Sequence, residues 1–271
     1  MKSRHLNILG WVYCCLLIAF LLFPIIIMVP ISFGDTDTLH FPPERLSLRW
    51  YETVLGDDRW LDSAKLSLWI AIWAAGLATV AGLLVGLVHM RLGRIGVPLR
   101  IVLMMPLVAP NVVIATGLFS LLLPLGLLGS PTSLILGHAC LAVPLTMVIF
   151  LNAADSLDPL LWTAADSLGA RWPRILREIV LPNLGISIVA AFLIAFITSW
   201  DEVTLAIFVG PIAVPTLPSR MFSFLTEMID PAVTAIATML IGVTALIGLL
   251  MIILNIVGQK YSAARRQGAG Q

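Results

Sequence analysis

Charge is what this 271-residue chain has least of. Asp, Glu, Lys and Arg make up 11% of it, 16 basic residues against 15 acidic. A water-soluble chain carries about 25% charged residues. The net charge of +1 excludes a basic nucleic-acid binder, and the 59% hydrophobic content excludes a disordered chain. Cysteine is nearly missing too. Cys14, Cys15 and Cys140 all lie in apolar runs, which leaves no disulfide framework and no Cys-rich zinc site. Ten-residue alternating strands of the kind a membrane barrel needs are absent. So is any GxxxxGKS/T loop, and the chain therefore does not itself cradle nucleotide phosphates. No Ser/His/Asp or Cys/His arrangement stands out, and His89 and His138 have no carboxylate or cysteine at ligand spacing. Neither catalysis nor a metal or other bound cofactor is expected of this chain.

What the chain has is apolar length. A bilayer core about 30 Å thick takes roughly 20 apolar helical residues. Six stretches qualify: Leu6–Phe33, Leu66–Met90, Ile101–Pro124, Ser133–Leu151, Leu184–Val209 and Val233–Val257. Inside lipid their backbone groups must pair within each segment, so an all-α membrane protein with six transmembrane helices is predicted. Pro24, Pro30, Pro106, Pro110 and Pro144 should kink these helices rather than disqualify them. The first run is too long for a signal-peptide core and has no clear cleavage site, so it reads as a retained helix. Gly82 and Gly86 form a GxxxG, expected to serve close helix packing.

Positive charge sets the orientation. With the N-terminus inside, the cytoplasmic segments hold 11 cations (Lys2, Arg4, Arg91, Arg94, Arg100, Arg171, Arg174, Arg177, Lys260, Arg265, Arg266). The outer side holds 5 (Arg45, Arg49, Arg59, Lys65, Arg220), with seven carboxylates in its first loop. Both termini are therefore expected in the cytoplasm.

One inner segment, Ala153–Asn183, is too long and too patterned for a solvated linker. Leu157, Leu160, Leu161, Ala164, Ala165 and Leu168 follow one stripe of a short helix. Gly169 stands where a left-handed cap would end it. A second stripe runs through Trp172, Ile175, Leu176, Ile179 and Val180, and Pro182 is expected to stop that helix before the next span. Two hinged amphipathic helices outside the bilayer must cover their apolar faces, on the membrane surface, on their own bundle, or on a soluble partner.

Ala164-Ala165, Gly169 and Ile179-Val180-Leu181-Pro182 resemble, in register, the EAA---G---------I-LP motif of ABC importer permeases. Thr163 stands at the first position, where the family usually has Glu. The resemblance implies a type I ABC importer permease fold whose loop 153–183 is the coupling helix resting on an ATP-hydrolysing subunit. Ala164, Ala165, Asp166, Gly169, Arg171, Ile179, Leu181 and Pro182 would carry that contact. The six spans, Trp50-Tyr51, Met105-Pro106 with Pro110, and Ser199-Trp200-Asp201-Glu202 also look like permeases of spermidine/putrescine systems. The overlap covers nearly the whole chain, as one permease domain. It implies a second, paralogous permease subunit, two copies of an ATPase subunit that bind the ATP and Mg, an extracytoplasmic substrate-binding protein, and a place in the bacterial inner membrane.

Asp201 and Glu202 lie within the fifth apolar run. A carboxylate there costs roughly 2.5–3.5 kcal/mol at a helix centre, so such residues face a bundle interior, a wet cavity or a partner. They are expected to line a path for a cationic solute, with Trp200, Ser199, Asn111 and Trp50; a structural ion pair or an unwound helix end is the plain alternative. Asn111 occupies a position where polyamine permeases tend to carry an acid, which suits a monoamine, amino-acid-like or opine-like solute. An ion-gradient-driven carrier would show internal repeats, and none is clear.

Overall fold

The computed structural model describes residues 2–93, 95–227 and 231–268. Arg94 and the side chains of Lys2, Arg4, Lys260, Arg265 and Arg266 lie outside the described residues, and with them part of the expected inner charge.

The described residues are helical almost throughout. In chain order the elements are α1 (Lys2–Ser32), α2 (Arg49–Gly56), α3 (Asp58–Leu92), α4 (Val97–Val108), α5 (Asn111–Leu122) and α6 (Pro131–Ser156). They continue with α7 (Leu160–Ser167), α8 (Trp172–Ile175), a π-turn (Leu176–Val180), α9 (Leu181–Trp200), α10 (Thr204–Val209), α11 (Leu217–Glu227) and α12 (Ala232–Gly268). Five helical stretches are long and apolar enough to cross a membrane, and the bent pair α4–α5 makes a sixth. Six spans is the number expected.

Two spans are broken, and each break has a local cause. The run Ile101–Pro124 is not one kinked helix: α4 and α5 meet at 104°. Pro110 lacks an N–H and pushes the preceding residue out of the helical region. Ala109 accordingly has ψ 138° and Pro110 ψ 135°. The run Leu184–Val209 also departs from a single helix. It ends at Trp200, passes through Asp201–Val203 and restarts as α10.

Pro182 does not stop the helix before the fifth span. Trp172 to Trp200 form one continuous span-length helix. The π-turn makes this possible: Leu181 N–H donates to the Leu176 carbonyl, five residues back. The wider turn accommodates a proline that an α-turn would not.

The contacts divide the chain into two units, Met1–Leu61 with Met221–Val243, and Asp62–Arg220 with Thr244–Gln271. In the first, the Ser32 and Tyr51 hydroxyls share a 2.7 Å hydrogen bond and the Phe33 and Tyr51 rings lie 5.0 Å apart. No residue in the apolar window of α1 is buried.

The second unit is organised around α6. Gly82 and Gly86 of α3 allow close approach: a Cβ on them would come within 2.8 Å of the Thr146 backbone and 2.9 Å of Phe150 Cβ. Thr146 Oγ1 donates across the gap to the Ala78 carbonyl at 2.8 Å. Ser130 caps α6 through the Ser133 N–H, with Pro131 in its first turn. One apolar cluster gathers Ile70, Ala115, Leu134, Leu141, Leu205 and Val209; another gathers Met90, Ala154, Ile175, Val180 and Leu184.

Candidate functional site

The two breaks meet. Asn111 opens α5 directly after Pro110, and its Nδ2 donates to Glu202 Oε2 at 2.9 Å. Glu202 Oε1 accepts the Leu205 N–H at 3.0 Å. That bond satisfies one of the free donors at the start of α10, as a capping side chain does. Glu202 is buried, at 9% exposure. Asp201 is different. Its side chain is exposed, and among the described residues it forms no ion pair or side-chain hydrogen bond. Both acids lie past the end of α9, and the break separates a carboxylate engaged by Asn111 and Leu205 from one without a side-chain partner among the described residues.

Ser199 and Trp200 precede the acids and are both buried. Trp200 stacks on Phe196, ring centroids 5.7 Å apart and nearly parallel, so one indole face is already covered. Ser199 Oγ lies 2.7 Å from His138 Nδ1. His138 is 1% exposed, and its Nε2 and the Trp200 Nε1 have no hydrogen-bond partner among the described residues. Nothing in the local pattern joins His138 to Ser199, 61 residues away. Its only trace was an ionisable side chain in the middle of an apolar helix, which is costly unless it does something.

Trp50 belongs to the other unit and is buried, with the Arg49 guanidinium 4.7 Å above its ring. Asn111, Ser199, Trp200, Asp201 and Glu202 are thus gathered at the breaks, and Trp50 is described within its own unit.

The loop 153–183 forms the expected first helix, α7, and its second stripe lies on the inner end of the continuous helix Trp172–Trp200 rather than on a separate helix. Gly169 has φ +80°, the left-handed conformation that glycine adopts without penalty. Gly169 N–H donates to the Asp166 carbonyl at 2.9 Å and Ala170 N–H to the Ala165 carbonyl at 3.0 Å. These are the two bonds of a Schellman cap, and Ala165 and Ala170 both pack on the apolar cluster around Met90. The first stripe is divided rather than buried as one face. Leu157 and Ala165, with Trp162, turn inward, while Leu160 (71%), Leu161 (45%) and Leu168 (88%) are exposed, as is Ala164. A 290 Å³ hollow lies between Leu168–Ala170 and Arg174, Ile175 and Glu178. Asp166 and Arg171 are exposed, Ile179 and Leu181 half-buried, and Pro182 exposed. Arg171 caps α8 through its carbonyl, which accepts the Arg174 and Ile175 N–H groups.

His89 also gains a partner the sequence hides. Its Nε2 lies 2.9 Å from Asp155 Oδ1, and its Nδ1 accepts the Ile95 N–H at 3.2 Å. This ties the end of α3 to the end of α6, at the start of the loop.

Residues 78–262 match the family described as binding-protein-dependent transport system inner membrane component. The chain belongs to this family. It is the membrane-spanning permease part of an ABC importer, a transport subunit rather than an enzyme. It is 32% identical over 226 residues to the spermidine/putrescine transport system permease protein PotC of Haemophilus influenzae, covering 82% of this chain and 87% of that one. It is 32% identical over 212 residues to the putrescine transport system permease protein PotI of Escherichia coli, covering 74% and 75%. Among solved structures, a bacterial ABC transporter involved in import of the acidic polysaccharide alginate aligns with TM-score 0.58 at 18% identity, over 96% of this permease and 98% of that chain. The MetNI methionine ABC transporter aligns with TM-score 0.52 at 18% identity, over 73% and 92%. Both share the all-helical type I permease fold.

Proposed function

We propose that this permease, working as one domain with both termini in the cytoplasm, carries a small cationic solute of the spermidine or putrescine kind across the bacterial inner membrane. The observation that carries this reading is the Asp201 carboxylate, free and exposed at a break in an otherwise apolar span. An ammonium group is the ligand chemistry that such a carboxylate takes, and PotC and PotI, to which this chain is similar, are spermidine/putrescine and putrescine permeases by name. Glu202, held by Asn111 and Leu205, fixes the break rather than meeting the solute.

Transport energy comes from outside the chain. Two copies of an ATPase subunit bind ATP and Mg, a receptor outside the membrane delivers solute, and a paralogous permease completes the path. The exposed Leu160, Leu161 and Leu168 and the hollow beside Gly169 seat the loop on the ATPase. Closure of the ATPase pair moves the loop, and the continuous helix 172–200 carries that motion to the acids. The break then alternates between outward and inward exposure, a two-state switch biased by nucleotide.

A second reading has its own observation. With Glu202 committed to Asn111, one free carboxylate remains, which suits a monoamine or amino-acid-like solute. Uptake of radiolabelled spermidine by vesicles holding the complete complex separates them. Excess putrescine should abolish the signal and excess alanine should leave it intact; no spermidine signal, with uptake of radiolabelled alanine in its place, establishes the second reading.

A further inference from the structure

The π-turn at Leu176–Val180 winds one residue more than an α-turn into the helix that joins the loop to the fifth span. Such turns are rare, appear mostly as single-turn bulges inside α-helices, and are frequent at functional sites. Two residues hold this one. Pro182 has no N–H to donate, and in an α-turn its ring would collide with the carbonyl four residues earlier, that of Glu178. Asn183 Nδ2 donates to the Ile179 carbonyl at 2.6 Å, engaging a backbone acceptor inside the widened turn.

The consequence is rotational. Each helical residue turns the chain by about 100°. The buried residues run Ile175, Val180, Leu184, five apart across the π-turn and four apart after it. All three sit in one cluster with Met90 and Ala154. A plain α-helix would set Ile179 beneath Ile175 and turn everything beyond it by one residue's angle. The inserted residue lets α8 and α9 keep their apolar faces on the same cluster while Arg174, Arg177 and Glu178 stay outside.

We propose that Pro182 and Asn183 are positioning residues that hold this one-residue insertion and so fix the rotation of the fifth span relative to the loop. Loop motion then reaches the Asp201–Glu202 break at a set angle. This rests on the reading of 153–183 as the coupling loop.

A register compensation tests it. Pro182→Ala permits the turn to close to an α-turn, which leaves one residue too many between Ile175 and Leu184. Deleting the exposed Arg177 in the same chain removes that residue and restores the spacing. In the complete complex in nanodiscs, cryo-EM maps should show Leu181 N–H pairing four residues back in both variants. In Pro182→Ala alone, Ile175 or Leu184 should leave the cluster; in the combined variant both should remain. With spermidine as probe, uptake per ATP hydrolysed should fall about tenfold in Pro182→Ala, equivalent to about 1.4 kcal/mol of coupling. It should return to within about twofold of wild type in the combined variant. Asn183→Leu should move coupling in the same direction by less.

An unaltered π-turn and normal coupling in Pro182→Ala would overturn the proposal. So would a combined variant that keeps both side chains in the cluster yet couples no better than the single one. A wild-type complex that takes up no spermidine counts against the polyamine assignment alone, and the maps then decide the joint. A loop that never touches the ATPase counts against the coupling reading, which crosslinking reads separately.

Discussion

A carboxylate placed mid-span costs roughly 2.5–3.5 kcal/mol, so two in succession require two compensations or one function. The fold supplies different environments. Glu202 is buried between the Asn111 amide and the Leu205 N–H, whereas the Asp201 side chain is exposed with no partner among the described residues. A hydrogen bond to a charged group is worth about 1.5–3 kcal/mol, or roughly tenfold to a hundredfold in uptake if Asp201 meets the ammonium. Asp201→Asn should therefore lower spermidine uptake by at least about tenfold while the complex still assembles. Glu202→Gln retains a carbonyl for the Leu205 N–H, and Asn111 can turn its amide to accept from the new NH2, so it should cost less than about threefold. Vesicle uptake at matched protein levels reads both, and the opposite order would make Glu202 the solute-facing acid. The pair of acids stood out in the sequence. Their division of labour did not, because it depends on Asn111, 91 residues from Glu202, and on a helix restart that no local pattern marks. The place of His138 is hidden for the same reason: its partner Ser199 lies on another helix.

At the scale of elements, the loop shows what local pattern can and cannot predict. Gly169 was legible because a left-handed cap needs a residue without a Cβ at a fixed distance from the apolar stripe, and φ +80° answers that requirement. An added Cβ would meet nothing within 4 Å, so the cost of substitution there is backbone strain rather than collision. For an ordinary residue that strain is about 1–2 kcal/mol, larger for a β-branched one, whereas Asn tolerates the conformation. Gly169→Val should thus lower uptake per ATP by about tenfold, and Gly169→Asn should stay within about twofold of wild type. Equal activity of the two in reconstituted vesicles would remove the cap from the coupling path. The π-turn left no such mark. Ile179 and Val180 are both apolar, so the stripe reads equally well with or without the inserted residue, and Pro182 alone looked like a stop. Pro110 did signal a disturbance in the third span, but a proline does not say whether neighbouring elements will hold a gentle kink or a 104° break.

Across the whole molecule, apolar length predicted six spans, and the fold has five long helices and one bent pair. The residue-rich contacts lie around α6 and α9, while α1 has no buried residue in its apolar window and α4 has none along its length. Such faces need lipid or another subunit to cover them, which accords with a chain that works as part of a complex. A path for a charged solute must be sealed in each of its two states, and in the proposed mechanism the continuous helix from Trp172 to Trp200 carries the change of state. Coupling then depends on what grips the inner end of that helix. Leu168, 88% exposed beside the Gly169 cap, is the side chain best placed to report it. A photo-crosslinking residue substituted at Leu168, in the intact complex cycling ATP in membranes, should yield a covalent product with the ATPase subunit, its yield changing when hydrolysis is arrested. Products confined to lipid or to the permease chains, with none on the ATPase in any nucleotide state, would contradict the account.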